Sequence, residues 1–308
     1  MTELTGLFVP LITPFDAAGQ VAAEALERLA HRVLDDGASG IVALGTTSEA
    51  ATLTSAERSA VLRICSRVCT QRGVPLIAGA GTNDTARSMA EVTALAGVPG
   101  LRAALVPVPY YLRPGEAGVR EHFRAVAAVS PVPIVVYNIP YRTGQPVSWP
   151  AMAEIAALPG IAGVKHSVGS VDADTVMMLA ERPPGFRVLG GDCAVISPLL
   201  AIGADGGILA SAHLRTTGFA ALITAWLGGQ VSVARQLGHD LAPLSRALFA
   251  EPNPVVIKAV LHQLGEIPSP AVRLPLVPAG LQSAQAALLL ASASGAAQAQ
   301  ASAQFGVP

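Results

Sequence analysis

The sequence predicts an α/β fold: a closed (β/α)8 barrel of the TIM type with a small C-terminal helical domain. Three observations predict it. Short, β-branched apolar runs alternate eight times with longer Ala/Leu/Arg/Glu stretches of helical character. The short runs are too apolar to face water, so they read as parallel strands covered on both faces. The length of 308 residues accommodates one barrel of roughly 250 residues plus an appendage. A doubly wound open sheet is the competing architecture. Its usual dinucleotide signature is missing, because Gly79-Ala80-Gly81-Thr82-Asn83-Asp84 holds only the first half of a G-x-G-x-x-G.

In chain order, the first unit pairs a strand over residues 7–13 with a helix over 22–35, where Glu24 in the first turn suits the positive end of the helix dipole. The second pairs 40–46 with 55–72 (Glu57 in the first turn), and the third pairs 75–80 with 85–96. The fourth runs 103–107 then 115–129, with Glu116 near the helix start. The remaining units pair 133–138 with 149–157, 161–166 with 172–181, 186–190 with 194–202, and 207–210 with 216–227. Strand signals then stop. Residues 231–249, 254–264 and 281–292 read as helices, separated by Pro/Gly-rich joints. The expected organisation is a barrel over 1–228, a helical domain over 229–292, and an Ala/Gln/Ser-rich flexible tail over 293–308.

Composition narrows the function classes. The net charge is −1 with no basic run, which argues against nucleic acid and anionic membrane surfaces as partners. The first ten residues lack the basic and long apolar regions of a signal peptide, and no apolar run reaches the roughly 18 residues of a membrane span. A cytoplasmic protein is expected. Cys65, Cys69 and Cys193 form no Cys-x-x-Cys pair and read as reduced thiols. The six histidines show no metal-ligand spacing, so no metal is expected.

Of the 20 basic residues, 18 are Arg; the two lysines are Lys165 and Lys258. Arg can carry most surface roles of Lys, but it cannot readily lose its proton. A lysine in such a chain is therefore a candidate for covalent amine chemistry, with base-composition bias as the plain alternative. Catalytic groups of barrels project from the C-terminal ends of strands. Lys165 falls at such an end, after Ile161-Ala162-Gly163-Val164. Burial there would lower its pKa from ~10.4 and let the amine attack a ketone carbonyl to give an imine. The alternative is a structural ion pair with Asp192 or Glu49. Lys258 lies in the helical appendage and reads as structural. Tyr137 ends the neighbouring strand, where its hydroxyl can move protons on the same substrate; a buried aromatic plug is its plainer role. Thr46-Thr47 offers two hydroxyls and turn amides to a carboxylate; a simple turn is its plainer role. Arg142 sits on an exposed loop and could hold a second carboxylate, or be an ordinary surface residue.

These motifs together resemble the dihydrodipicolinate synthase / N-acetylneuraminate lyase family of pyruvate-dependent class I aldolases. The resemblance runs from about Gly6 to Pro278. It is carried by residues 10–15 (PLITPF), 45–49 (GTTSE), 109–114 (PYYLRP), 137–144 (YNIPYRTG), 251–254 (EPNP) and Lys258. It implies a (β/α)8 barrel, a homotetramer built as a dimer of dimers, and no cofactor. It makes Lys165 the imine-forming residue and Tyr137 the proton donor and acceptor. Thr46 would link Tyr137 to Tyr111 reaching in from a neighbouring subunit, and Thr47 with the backbone around Gly191 and Ile208 would hold pyruvate. Arg142 matches the synthase's arginine for the carboxylate of aspartate semialdehyde, which favours the synthase branch. The departures are His166 where an acidic residue is usual, Asp192-Cys193 after Gly191, and Ser211-Ala212-His213 after the eighth strand. They are expected to rim the pocket, which puts the second substrate in doubt. The alternatives are a catabolic aldolase or dehydratase of 2-oxo-3-deoxy sugar acids or 4-hydroxy-2-oxo acids, and, more remotely, a non-catalytic oxo-acid-binding protein.

Overall fold

The computed structural model describes residues 4–292, so the expected tail over 293–308 lies outside the described residues. Eight parallel strands form one closed barrel: β1 (Gly6–Pro10), β2 (Gly40–Ala43), β3 (Leu76–Gly79), β4 (Leu101–Pro107), β5 (Ile134–Asn138), β6 (Ile161–His166), β7 (Arg187–Gly190) and β8 (Gly206–Ile208). Closure is made by β1 pairing with β8 through Gly6–Gly206, Leu7–Gly207 and Phe8–Ile208, which excludes the open sheet. Glycine at 206 is required for that seam, since a Cβ there would lie 2.1 Å from the Gly6 carbonyl oxygen.

Two apolar layers follow from strand alternation. Phe8, Val42, Ile77, Leu105, Val135, Leu189 and Ile208 fill the barrel interior, while Val9, Ile41, Ala78, Val136, Val164 and Val188 face the helices. The helices are α1 (Ala23–Asp35), α2 (Ser55–Arg72), α3 (Thr85–Thr93), α4 (Gly115–Val129), α5 (Pro140–Thr143), α6 (Trp149–Ala156), α7 (Ala173–Glu181), α8 (Ile196–Ala201) and α9 (Ala212–Leu227). Thr54 and Glu57 form a reciprocal cap at α2, and Asp84 and Asp172 cap α3 and α7 through the amides of Arg87 and Thr175. The short α5 was not anticipated; four residues are too few to show a period. The last barrel helix begins four residues earlier than expected, at Ala212, with a kink at Arg215.

Beyond the barrel, α10 (Val231–Leu248), α11 (Val255–Gln263) and a helix over residues 281–292 follow. Ala234, Leu241, Leu244 and Leu248 make one buried stripe on α10, joined to the same apolar cluster as the barrel helices. The segment from Asn253 to Arg273 turns back onto the barrel mouth, touching the loop after β2. Among the described residues no helix is long and apolar enough to cross a membrane. All three cysteines are buried and unpaired.

Candidate active site

Lys165 and Tyr137 are register partners on adjacent strands β6 and β5, so both side chains point into the barrel at its C-terminal mouth. The Lys165 amine lies 4.1 Å from the centre of the Tyr137 ring, and the residue is 6% exposed. Burial lowers its pKa from 10.5 to about 8; Cys193, Asp192 and Tyr141 pull the other way, and Arg142 adds to the lowering. The alternative ion pair does not form: among the described residues no carboxylate lies within salt-bridge distance of this amine. Glu49 is instead bound by Lys258, at 2.7 Å. Lys258 is also lowered to about 8, again mainly by burial. A depressed pKa therefore does not tell the two lysines apart. Geometry does: the Lys165 amine at the barrel mouth meets no carboxylate among the described residues, while the Lys258 amine is locked on Glu49.

Burial pushes the Tyr137 hydroxyl up to about 12, against a hydrogen bond with Thr46, so the phenol carries its proton throughout the neutral range. Thr46, Thr47 and Ser48 form a 3-10 turn directly after β2, rather than extending the strand as expected. The turn is pinned on several sides. Ser48 Oγ donates to the Leu11 carbonyl at 2.6 Å, and Thr13 Oγ1 donates to the Ser48 carbonyl at 2.8 Å. Asn253 Nδ2 donates to Thr47 Oγ1 at 2.9 Å.

Gly191 follows β7 and lies against the amine. A Cβ there would fall 1.8 Å from Ser167 Oγ and 2.9 Å from Lys165 Cε, so a side chain at this position would push both residues from their present places. Ile208 closes the interior layer at the end of β8. Above these groups a cleft of ≈ 600 Å³ is lined by Tyr141, Arg142, Asp192, Cys193, Arg246 and Asn253, among others. Arg142 lies on α5, exposed, with its guanidinium 5.4 Å from the Tyr141 ring centre. Asp192 accepts from the Gly169 amide at 2.8 Å, and its burial raises its pKa. Tyr111 is not part of the buried cluster: it is 85% exposed, in left-handed backbone (φ 71°), with its amide on the Thr143 carbonyl.

Two of the departures noted in the sequence do not rim the pocket. His166 follows Lys165 by one residue and so faces the opposite side of the sheet. The Thr175 hydroxyl donates to Asp172, so His166 donates its Nε2–H to Thr175 Oγ1, and burial lowers the ring to about 4. His213 accepts the Ile12 amide at Nε2 and donates from Nδ1 to the Ala210 carbonyl, a structural strut also lowered to about 4 by burial. Strict alternation along β6 would have placed His166 correctly. Asn253 was missed as a contact of the Thr46-Thr47 turn; only its late Glu-Pro-Asn-Pro setting hinted at a role. Among the described residues no cluster of His, Cys, Asp and Glu could hold a metal ion.

This geometry accords with what the chain is similar to. The model of the dihydrodipicolinate synthetase family matches residues 3–293. The 4-hydroxy-tetrahydrodipicolinate synthase of Moorella thermoacetica is 38% identical over 271 residues, covering 88% of this chain and 91% of that protein. Among solved structures, the 4-hydroxy-tetrahydrodipicolinate synthase of Methylacidiphilum fumariolicum SolV superposes with a TM-score of 0.90 at 32% identity, covering 97% of this chain and 98% of the other. The chloride-inhibited dihydrodipicolinate synthase of Acinetobacter baumannii, complexed with pyruvate, gives a TM-score of 0.90 at 31% identity, covering 95% and 99%.

Proposed function

The chain belongs to the dihydrodipicolinate synthetase family, and we propose that it is a 4-hydroxy-tetrahydrodipicolinate synthase, condensing pyruvate with L-aspartate 4-semialdehyde on the way to lysine. The observation that carries this is the free Lys165 amine, lowered to about 8 and packed against Tyr137 on the adjacent strand.

In this reading the amine attacks C2 of pyruvate, and the carbinolamine loses water to give the imine. Tyr137 delivers and removes the protons of these steps, with Thr46 orienting its hydroxyl. Loss of a C3 proton gives an enamine, which attacks the aldehyde carbon while the aldehyde oxygen takes up a proton. The acceptor's own amine then attacks the imine carbon, closes the ring and releases Lys165. Thr47 and the backbone near Gly191 and Ile208 hold the pyruvate carboxylate. Arg142, exposed at the cleft, takes the acceptor's carboxylate. The barrel over 1–228 supplies the chemistry and the helical domain over 229–292 braces its mouth. Tyr111 completes the proton path in a neighbouring subunit of a cytoplasmic homotetramer, a dimer of dimers. Its exposure alongside Tyr110 and Leu112 supports that role.

Borohydride reduction in the presence of pyruvate, followed by peptide mass analysis, tests the reading. One reduced pyruvyl adduct on Lys165 is expected; a protein left unlabelled there is a binding protein or scaffold. A panel of aldehydes then separates the synthase from catabolic aldolases. Aspartate semialdehyde is expected to be preferred, and Arg142→Ala to raise its KM by about 10–100-fold, the scale of a lost charge-assisted contact. Faster turnover of a 2-oxo-3-deoxy sugar acid would reassign the substrate.

A further inference from the structure

The second lysine has a place in the site although its amine never meets substrate. Lys258 on α11 is completely buried, donates to Glu49 Oε1 at 2.7 Å, and lies 4.0 Å from the Phe15 ring centre. The other carboxylate oxygen of Glu49 accepts the Arg273 amide at 2.8 Å. Glu49 itself sits in left-handed backbone (φ 54°), and its amide closes the turn on the Thr46 carbonyl at 3.0 Å. A non-glycine residue held there costs roughly 1–2 kcal/mol. A buried ion pair is also a poor stabiliser, because desolvating both charges costs several kcal/mol per ion. Neither feature is explained by stability alone. Both are explained by where they act: Glu49 ends the Thr46–Ser48 turn, and Asn253, five residues before Lys258, holds the Thr47 hydroxyl.

We propose that Lys258, through Glu49 and together with Asn253, is a positioning residue that sets the Thr46-Thr47 turn for the carboxylate of the 2-oxo acid. The helical appendage then contributes to pyruvate binding without touching pyruvate. This rests on the reading of Lys165 as the imine-forming residue and of Thr47 as a carboxylate ligand. With the clamp released, the turn can relax toward ordinary backbone, and the two hydroxyls lose their shared aim. The loss falls on binding through Thr47 and on proton transfer through Thr46, which orients the Tyr137 hydroxyl, while Lys165 and Tyr137 themselves keep their register on β6 and β5.

The test uses the full chain and three variants: Lys258→Met, Asn253→Ala, and the double variant Lys258→Met with Glu49→Gln, which leaves no charge buried alone. Half-saturation of Lys165 labelling by pyruvate under borohydride, steady-state kinetics and Tm are measured on each. We expect the half-saturating pyruvate concentration to rise about tenfold or more in all three, with kcat at saturation within about threefold in Asn253→Ala, which touches Thr47 alone, and a further fall in kcat in the two Lys258→Met variants, where Thr46 is released with the turn. The double variant should regain much of the Tm lost by Lys258→Met yet still bind pyruvate weakly. A purely structural pair would lower Tm and leave half-saturation unchanged, and that result overturns the proposal. If Lys258→Met does not fold, the other two variants decide by the same criterion. Wild-type protein that fails to label on Lys165 takes down the functional reading and this inference together. Normal wild-type labelling with unchanged variants removes this inference alone.

Discussion

Imine formation should titrate with the Lys165 amine. A fall from 10.5 to about 8 raises the free-amine fraction at pH 7 from about 0.03% to about 9%, a gain of roughly 300-fold. The initial rate of pyruvate labelling under borohydride should therefore climb about tenfold per pH unit up to pH 7, bend near 8, and level off above 9. Asp192 favours the charged amine, so Asp192→Asn should move the bend to lower pH. Stability supplies an independent arm. With a folded pKa below the unfolded one, the unfolded chain holds more protons between pH 8 and 10.5, so wild-type stability rises with pH across that window. Below it the buried ammonium costs about 3 kcal/mol. Lys165→Met should thus be more stable than wild type at pH 7 by denaturant unfolding, with an advantage that shrinks from pH 8 to 10.5. A rate that keeps climbing log-linearly through pH 10, or a label that lands on Lys258, would refute the reasoning.

Other changes separate the remaining parts of the site. Tyr137→Phe keeps the ring beside the amine but removes the proton carrier; kcat should fall about 10²–10⁴-fold with the half-saturating pyruvate concentration little changed. Gly191→Ala drives a methyl onto Ser167 Oγ and Lys165 Cε, so labelling should be lost while circular dichroism stays native. The rings of His122, His166 and His213 are each lowered to about 4 by burial, so the unfolded chain binds more protons between pH 6.5 and 4. Stability should fall as pH drops through that window. His166→Asn should reduce the slope by one proton while leaving the pH profile of labelling unchanged, since His166 faces α7; an altered profile would return that residue to the pocket.

Much of this molecule is local and therefore readable along the chain. Short β-branched apolar runs and Ala/Leu/Arg/Glu stretches are properties of contiguous residues, which is why β6, α2 and α4 fall where such runs lie in the chain. The parallel order then brings strand ends together at one mouth, so the scarcity of lysine and the position of Lys165 at a strand end were enough to nominate it. The closed seam between β1 and β8, the choice of Lys258 as the partner of Glu49 and the exposure of Tyr111 were not local. Glu49 could have neutralised either amine. Only the folded chain brings it to Lys258, 209 residues away, leaving Lys165 unpaired. Electrostatics and burial are sums over neighbours in space, and sequence separation carries almost no information about them. Composition and pattern thus determined the barrel and its candidate nucleophile; tertiary packing decided which amine is left without a carboxylate.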